Sequence, residues 1–373
     1  MDFNLNEQEK MIQRTAREFA LRSVQPRAVE IDHSGQFPFD LTQEMGALGY
    51  RGLPYPAQYG GSGAGYVSYV LVLEQIAQAS MTVAAIMHVN TVPEEAVFRF
   101  GSEEQKENFL IPLAQGQLLG GIAFTEAETG SDPAAITTIA RKSGGGYVIT
   151  GQKQFVALAR AVNLVLLFSR REGAGLNAFL VDTSSAGFSV REPCETIGLR
   201  GLGPSVVYLD DVYAPQQNLL GEEGKGFDVL LEVMSIARLG VAIEAVAAAQ
   251  AALELSLDYA RQRKVRGKPI AKLPAIQWHL AEMATRIEAG RWLVYRTAFL
   301  RDQGLSIRYE SSVAKLFTSQ VAVEVTRMAM QVHGSYGTMK TMPVERLYRD
   351  AKMTEVYVGI SEIQRSIIAS HLI

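Results

Sequence analysis

The 373-residue chain has one cysteine, Cys194, two tryptophans, and charges that nearly cancel at a net −3. One thiol excludes an internal disulfide, and with no CxxC pair or His/Cys cluster the sequence offers no metal site. Cys194 reads as a small buried filler, the commonest role of a free cysteine. Without a basic excess there is no general nucleic-acid surface, which needs a stripe of lysine and arginine. No apolar run is long enough to span a bilayer. The most apolar stretch, 239–257, is interrupted by Glu244, Gln250 and Glu254, whereas a span takes about 20 mostly apolar residues. The polar start, 1–10, lacks the apolar segment of a secretory signal, so a cytoplasmic protein is expected. What the chain has in plenty is core material: 47% of it is hydrophobic and 20% charged, the balance of a globular protein.

Hydrophobic periodicity divides the chain into three regions, giving an α+β fold. Residues 1–118 read as an N-terminal helical domain. Asn6 and Glu9 form a capping box ahead of a face made by Ile12, Ala16, Phe19 and Ala20. Further helices are expected at 40–48 and 67–79, with a buried one at 80–100. Residues 119–226 read as a small antiparallel β domain, a sheet or barrel. Its short apolar runs at 121–125, 146–150, 163–168, 177–181, 187–190 and 205–209 are separated by turns such as 143–146 and 172–175. Residues 227–373 read as a C-terminal four-helix-type bundle. Ile276, Leu280, Met283, Ile287 and Val294 mark one face there, and Pro269, Pro274 and Pro343 mark helix boundaries.

Several short segments carry chemistry-bearing residues. Phe124-Thr-Glu-Ala-Glu-Thr-Gly-Ser-Asp132 is a turn rich in hydroxyls and free N–H groups, which can hold an anion or an electron-rich ring. Gly151-Gln-Lys-Gln-Phe-Val-Ala157 reads as a strand. Arg261-Gln-Arg-Lys-Val-Arg-Gly-Lys268 is a basic run at a helix end, where cations are favoured, and its arginines suit phosphate. Gln331-Val-His-Gly-Ser-Tyr-Gly337 is a glycine turn. By themselves these are ordinary turns, strands and helix ends.

Together with Met342-Pro-Val-Glu-Arg-Leu-Tyr-Arg-Asp-Ala-Lys-Met-Thr-Glu-Val-Tyr-Val-Gly-Ile-Ser-Glu-Ile-Gln-Arg365, they resemble the acyl-CoA dehydrogenase family over essentially the full length. These are flavoproteins that remove hydrogens from the α and β carbons of acyl thioesters. The resemblance implies FAD, an acyl-CoA or other acyl-thioester substrate, an electron-transfer flavoprotein as partner, and a homo-oligomer, most naturally a tetramer. It assigns Phe124, Thr125, Ser131, Phe155, Ala157, Ile360 and Glu362 to cofactor contact. Arg263, Arg266, Gln331, Gly334 and Ser335 would serve the flavin of a neighbouring subunit. Ser131, Arg238, Val358 and Gly359 would meet the substrate.

The departures from the family pattern fall on the chemistry. The family's usual base is a glutamate, and Val358 stands in its place. The alternative glutamate position, just before Arg238, holds Ala237. Abstraction of an α proton needs a base within reach, so the candidates move to His88, Glu94 and Glu95, beside a stretch that borders the acyl pocket in the family. His88 is preferred because an imidazole accepts a proton near pH 7. Three readings stay open: a dehydrogenase with a relocated base; a related flavoprotein that removes sulfinate or reduces an enoyl thioester; and a non-catalytic flavin or acyl-CoA binder.

Overall fold

The computed structural model describes residues 4–171 and 175–373. The turn expected at 172–175 therefore lies outside the described residues, apart from Gly175. Helix α1 (Glu7–Phe19) opens on the expected capping box. Asn6 Oδ1 accepts from Glu9 N at 2.9 Å, and Glu9 Oε2 accepts from Asn6 N at 2.8 Å. After α2 (Ala28–Ser34) and α3 (Phe39–Ala47) come α4 (Gly65–Ala79) and α5 (Met81–Phe100). Ser80 separates these two helices and caps the second, its Oγ accepting from Val83 N at 3.5 Å. Helix α5 is buried on every side from Met81 to Val97, as its strongly apolar sequence leads one to expect, and its His88, Asn90, Glu94 and Glu95 are buried with it. Two short turns, α6 (Glu103–Gln105) and α7 (Ile111–Ala114), lead to the sheet.

The strands are β1 (Gly120–Ala123), β2 (Ile139–Ser143), β3 (Gly146–Val156), β4 (Leu164–Arg171), β5 (Leu176–Asp182), β6 (Phe188–Val190), β7 (Ser205–Pro215) and β8 (Leu219–Leu220). They run in the order β6-β7-β3-β2-β4-β5-β8, with β1 beside β4. Most pairings are antiparallel, but β1 and β2 both pair with β4 in parallel. The sheet is thus mixed, which corrects the expectation of a purely antiparallel one. Apolar alternation fixes which face of a strand is buried, not the direction of its neighbour.

Helix α8 (Gly226–Gln262) follows. A small hairpin of β9 (Lys264–Val265) and β10 (Lys268–Pro269) leads to α9 (Pro274–Asp302), α10 (Arg308–His333), α11 (Pro343–Thr354) and α12 (Ser361–Leu372). Pro274 and Pro343 are first residues of their helices, where a missing N–H costs nothing. Met283, Ile287 and Val294 bury the expected face of α9. At 37 residues α8 is roughly 55 Å long. Its Leu239, Ala242, Ile243 and Val246 share one core with Val83 and Ile86 of α5 and Val325 of α10. The N-terminal helices and the bundle therefore close on each other, leaving the sheet to one side.

Cys194 is exposed, not a buried filler. It sits among the exposed residues Arg191, Glu192, Pro193 and Glu195, a loop with no apolar pattern to draw it inward. No helix among the described residues is long and apolar enough to cross a membrane.

Candidate active site

A cleft of about 760 Å³ lies between the sheet and the helices. Phe227, Leu230, Leu231, Met234, Ala237 and Arg238 of α8 line it, one helical stripe at spacings of three and four. The sheet side contributes Ile122, Phe124, Thr125, Ser131, Phe155 and Ala157, and the turn between α11 and α12 contributes Tyr357, Val358, Gly359 and Ile360. His88 of α5 also lines the cleft. Residues hundreds of positions apart in sequence thus meet on one surface, and most of those the sequence singled out are among them.

Local backbone geometry aims these groups. Strand β3 loses register with β7 between Lys153 and Val156, and there Phe155 takes φ 53. A β-bulge of this kind redirects a side chain, and Phe155 is left 65% exposed on the cleft wall. The facing loop is held by Glu126. Its carboxylate accepts from Thr137 N at 2.7 Å, Thr138 N at 2.9 Å and Lys153 Nζ at 2.8 Å. Although burial opposes ionisation, the hydrogen bonds from Lys153, Thr137 and Thr138 win and hold Glu126 down at about 2. The loop carrying Thr125 and Ser131 is pinned to the sheet through it.

Val358 sits at φ 56, an outlier for a β-branched residue. The turn is fixed from outside: Lys315 Nζ donates to the Gly359 carbonyl at 2.6 Å, and Gln364 Nε2 donates to it at 3.0 Å. Strain of this type persists only where neighbours over-determine it.

His88 is buried, and its Nδ1 meets Glu244 Oε1 of α8 at 3.1 Å. The second oxygen of Glu244 accepts a short hydrogen bond from the Tyr357 hydroxyl. Burial first, and then the Glu244 carboxylate, push the Tyr357 phenol well above its ordinary value, so it stays a donor. A carboxylate beside Nδ1 favours the tautomer with a proton on that nitrogen. Nε2 is buried and has no hydrogen-bond partner among the described residues. The ring rests on Gly240, where any Cβ would come within 2.6 Å of His88 Cδ2. Sequence reading saw Glu244 only as an interruption in an apolar helix. That interruption was the available signal: a carboxylate buried in apolar sequence needs a partner.

Glu94 and Glu95, the other base candidates, do not line the cleft and are taken up elsewhere. Glu94 pairs with Arg51 (Nη2 to Oε1, 3.0 Å), both fully buried, and burial outweighs the arginine to raise its carboxyl to about 7. Glu95 takes Tyr66, Arg99 and Arg301.

Arg263, Arg266, Gln331, Gly334, Ser335 and Glu362 also lie off the cleft; all six are exposed. Arg263 packs over the Tyr336 ring at 6.0 Å, and Tyr259 stacks on His333 at 4.4 Å. Arg263 follows the last residue of α8, 25 positions beyond Arg238, so the helix carries it roughly 37 Å away from the cleft. Glu362, with Ile360, lines a smaller recess beside Lys352 and Arg365.

Family models match the whole of this architecture: the acyl-CoA dehydrogenase N-terminal domain over residues 6–117, the middle domain over 121–212 and the C-terminal domain over 224–373. An acyl-CoA dehydrogenase of Bacillus subtilis (strain 168) is 40% identical over 375 residues, spanning 99% of each chain. An acryloyl-CoA reductase (NADH) of Anaerotignum propionicum is 38% identical, over 99% of this chain and 95% of its own. Butyryl-CoA dehydrogenase from Megasphaera elsdenii superposes over 100% of both chains with a TM-score of 0.98 at 34% identity. The chain belongs to the acyl-CoA dehydrogenase family and is an oxidoreductase that acts on acyl thioesters at the α and β carbons.

Proposed function

We propose that this chain binds FAD in the cleft and dehydrogenates an acyl thioester there, with His88 as the base that takes the α proton. The observation that carries the reading is the His88–Glu244 contact: a buried imidazole on the cleft wall, oriented by a carboxylate, with Nε2 unengaged. An exposed aromatic ring at Phe155, with Thr125 and Ser131 lining the same cleft, fits a flat heteroaromatic cofactor with polar edges. When bound, FAD supplies the two-electron acceptor.

The chain's own residues do the rest. Glu244 holds the Nδ1 proton and stabilises the imidazolium formed when Nε2 accepts a second one, the orienting role a carboxylate plays behind a histidine base. Tyr357 occupies the other Glu244 oxygen and stops the carboxylate from rotating away. Phe124, Thr125, Ser131, Phe155, Ala157 and Ile360 hold the cofactor from this subunit, while Ser131, Arg238, Val358 and Gly359 face the thioester. Arg263, Arg266, Gln331, Gly334 and Ser335 lie off this cleft, which supports a homo-oligomer, a tetramer by family resemblance, in which they serve a neighbour's FAD. An electron-transfer flavoprotein would be the partner that accepts the electrons, and the setting is cytoplasmic.

The similarity to an acryloyl-CoA reductase supports a second reading in which the same site runs in reverse, His88 returning a proton to Cα. The test is anaerobic flavin reduction by a panel of acyl thioesters, with wild type and His88→Gln. The variant should keep its FAD and lose a factor of about 10² to 10⁴ in flavin reduction. Equal rates in both proteins would remove His88 from the chemistry. Oxidation of pre-reduced flavin by enoyl thioesters, with no reduction by acyl thioesters, would select the reverse direction.

A further inference from the structure

We infer that Lys315 is a positioning residue: from behind the cleft wall it holds the Tyr357–Ile360 turn in the backbone form that lines the cleft, and so sets the affinity of what binds there. The inference rests on the cleft being the ligand site proposed above. Tyr357, Val358, Gly359 and Ile360 all line the cleft, whereas Lys315 does not. Lys315 reaches the site through the Gly359 carbonyl, to which its Nζ donates at 2.6 Å.

The turn is anchored on both sides and strained between. Tyr357 is tied to α8 by its hydrogen bond to Glu244, and Gly359 is tied to α10 by Lys315. Helix α10 braces the same region again one turn on, where Ser319 Oγ donates to the Thr354 carbonyl at 2.9 Å. Val358 lies between the anchors at φ 56, followed by Gly359 at φ 87. A β-branched residue rarely takes that form. Released, Val358 would relax to negative φ and turn the Gly359 peptide with it. Gln364 Nε2 donates to the same carbonyl at 3.0 Å, but it is neutral, and a charged donor makes a bond roughly twice as strong. Lys315 is therefore the stronger of the two restraints on that carbonyl.

An ammonium at this place works against folding stability. Lys315 is fully buried among Ser312, Ala314, Thr318 and Ser319, which are buried with it. Among the described residues it makes no ion pair. Burial first, and then the nearby Arg238, lower its ammonium to about 7, against the attraction of Glu355 and Glu362. A buried charge without a partner is costly, and a methionine of similar length would fill the same space without that cost. Residues that break the rules of folding in this way are expected where function demands them. Here the demand is a donor strong enough to keep Val358 in its strained form.

The experiment is a double-mutant cycle on the full-length protein. It reads FAD affinity by titration, and butyryl-CoA affinity by calorimetry on the FAD-loaded enzyme. Lys315→Met removes the donor and keeps the length. With Val358 in place it should weaken both ligands about 10- to 100-fold, because the binding-competent turn becomes a minor population. In a Val358→Gly background the same change should cost less than about threefold, since glycine holds a positive φ without strain. Affinities untouched by Lys315→Met would overturn the proposal. Equal losses in the two backgrounds would overturn it too, because a merely structural strut does not depend on residue 358. Should Lys315→Met fail to fold, Gln364→Met removes the second donor to the same carbonyl. Its loss should be smaller and show the same dependence on residue 358, and a loss equal in both backgrounds would again overturn the proposal. A wild type that takes FAD but no thioester would refute the acyl-thioester reading alone, and the FAD affinities then decide the cycle.

Discussion

Glu244 and His88 lie 156 positions apart, yet Glu244 Oε1 meets His88 Nδ1 at 3.1 Å beside the cleft. A buried carboxylate in an otherwise apolar helix would be costly alone. Tyr357 and His88 together satisfy it. The relation joins three parts of the fold: α5, α8 and the turn after α11.

That relation is testable without touching His88. Glu244→Gln keeps the shape and can still accept one hydrogen bond, but it no longer balances an imidazolium. Flavin reduction should fall by roughly 10²-fold or more, with substrate affinity little changed. Tyr357→Phe, which frees one carboxylate oxygen, should cost less. A kcat held at the wild-type level in Glu244→Gln would mean the pair is only structural.

Val358→Glu places a carboxylate on the turn where the family keeps its base. Backbone conflict should not obstruct it, because a β-branched valine is already the harder residue to hold at φ 56. In a His88→Gln background the substitution should recover a measurable part of flavin reduction by butyryl-CoA. No recovery, with the fold intact by circular dichroism, would show that the turn does not point its side chain at the α carbon.

Arg263→Ala probes the shared cofactor site. Arg263 is exposed, so unfolding free energy should move by no more than about 0.5 kcal/mol, while FAD affinity drops. Arg263→Lys should recover little, since an ammonium cannot reproduce the two-pronged contact to phosphate. Light scattering on the wild type should give a multiple of the 40.8 kDa chain mass. A flavin-loaded monomer would contradict a site completed by a neighbour.

Asp350 carries a pH signature. It is buried on α11, its Oδ1 accepts from Leu199 N at 2.7 Å, and burial raises it to about 6 despite that bond. Its ordinary value is near 3.9. The folded state therefore binds the proton more tightly than the unfolded chain. The resulting stability is present below about pH 4 and is lost as pH rises through 6. Asp350→Asn keeps the acceptor and removes the charge. Relative to wild type it should gain up to ~2 kcal/mol at pH 7.5, from a shift of about two units at 1.36 kcal/mol each less the stronger charged bond. The gain should vanish towards pH 4. Urea midpoints at pH 4.5, 6 and 7.5 measure this, and a constant offset across them would mean Asp350 is not the titrating group.

The sequence by itself determined the types and rough limits of the elements. The Asn6–Glu9 box opened α1, the strongly apolar run became the buried α5, and Pro274 and Pro343 opened α9 and α11. These are local effects, set by capping, periodicity and missing N–H groups within a few residues. It also marked Phe124, Thr125, Ser131, Phe155, Ala157, Arg238 and Val358, which the fold brings to one cleft. Only tertiary structure decided what stands behind and opposite them. The sequence shows Glu244 as a break in an apolar run, but not that α5 will bring His88 to it. Alternation says that β3 is half-buried, but not that a bulge turns Phe155 outward. Nothing local distinguishes an arginine that will meet a carboxylate from Arg238, which is left facing a cleft with none. Pairing of buried polar groups depends on which elements pack together, and that is settled by the core they share, not by the residues beside them in the chain.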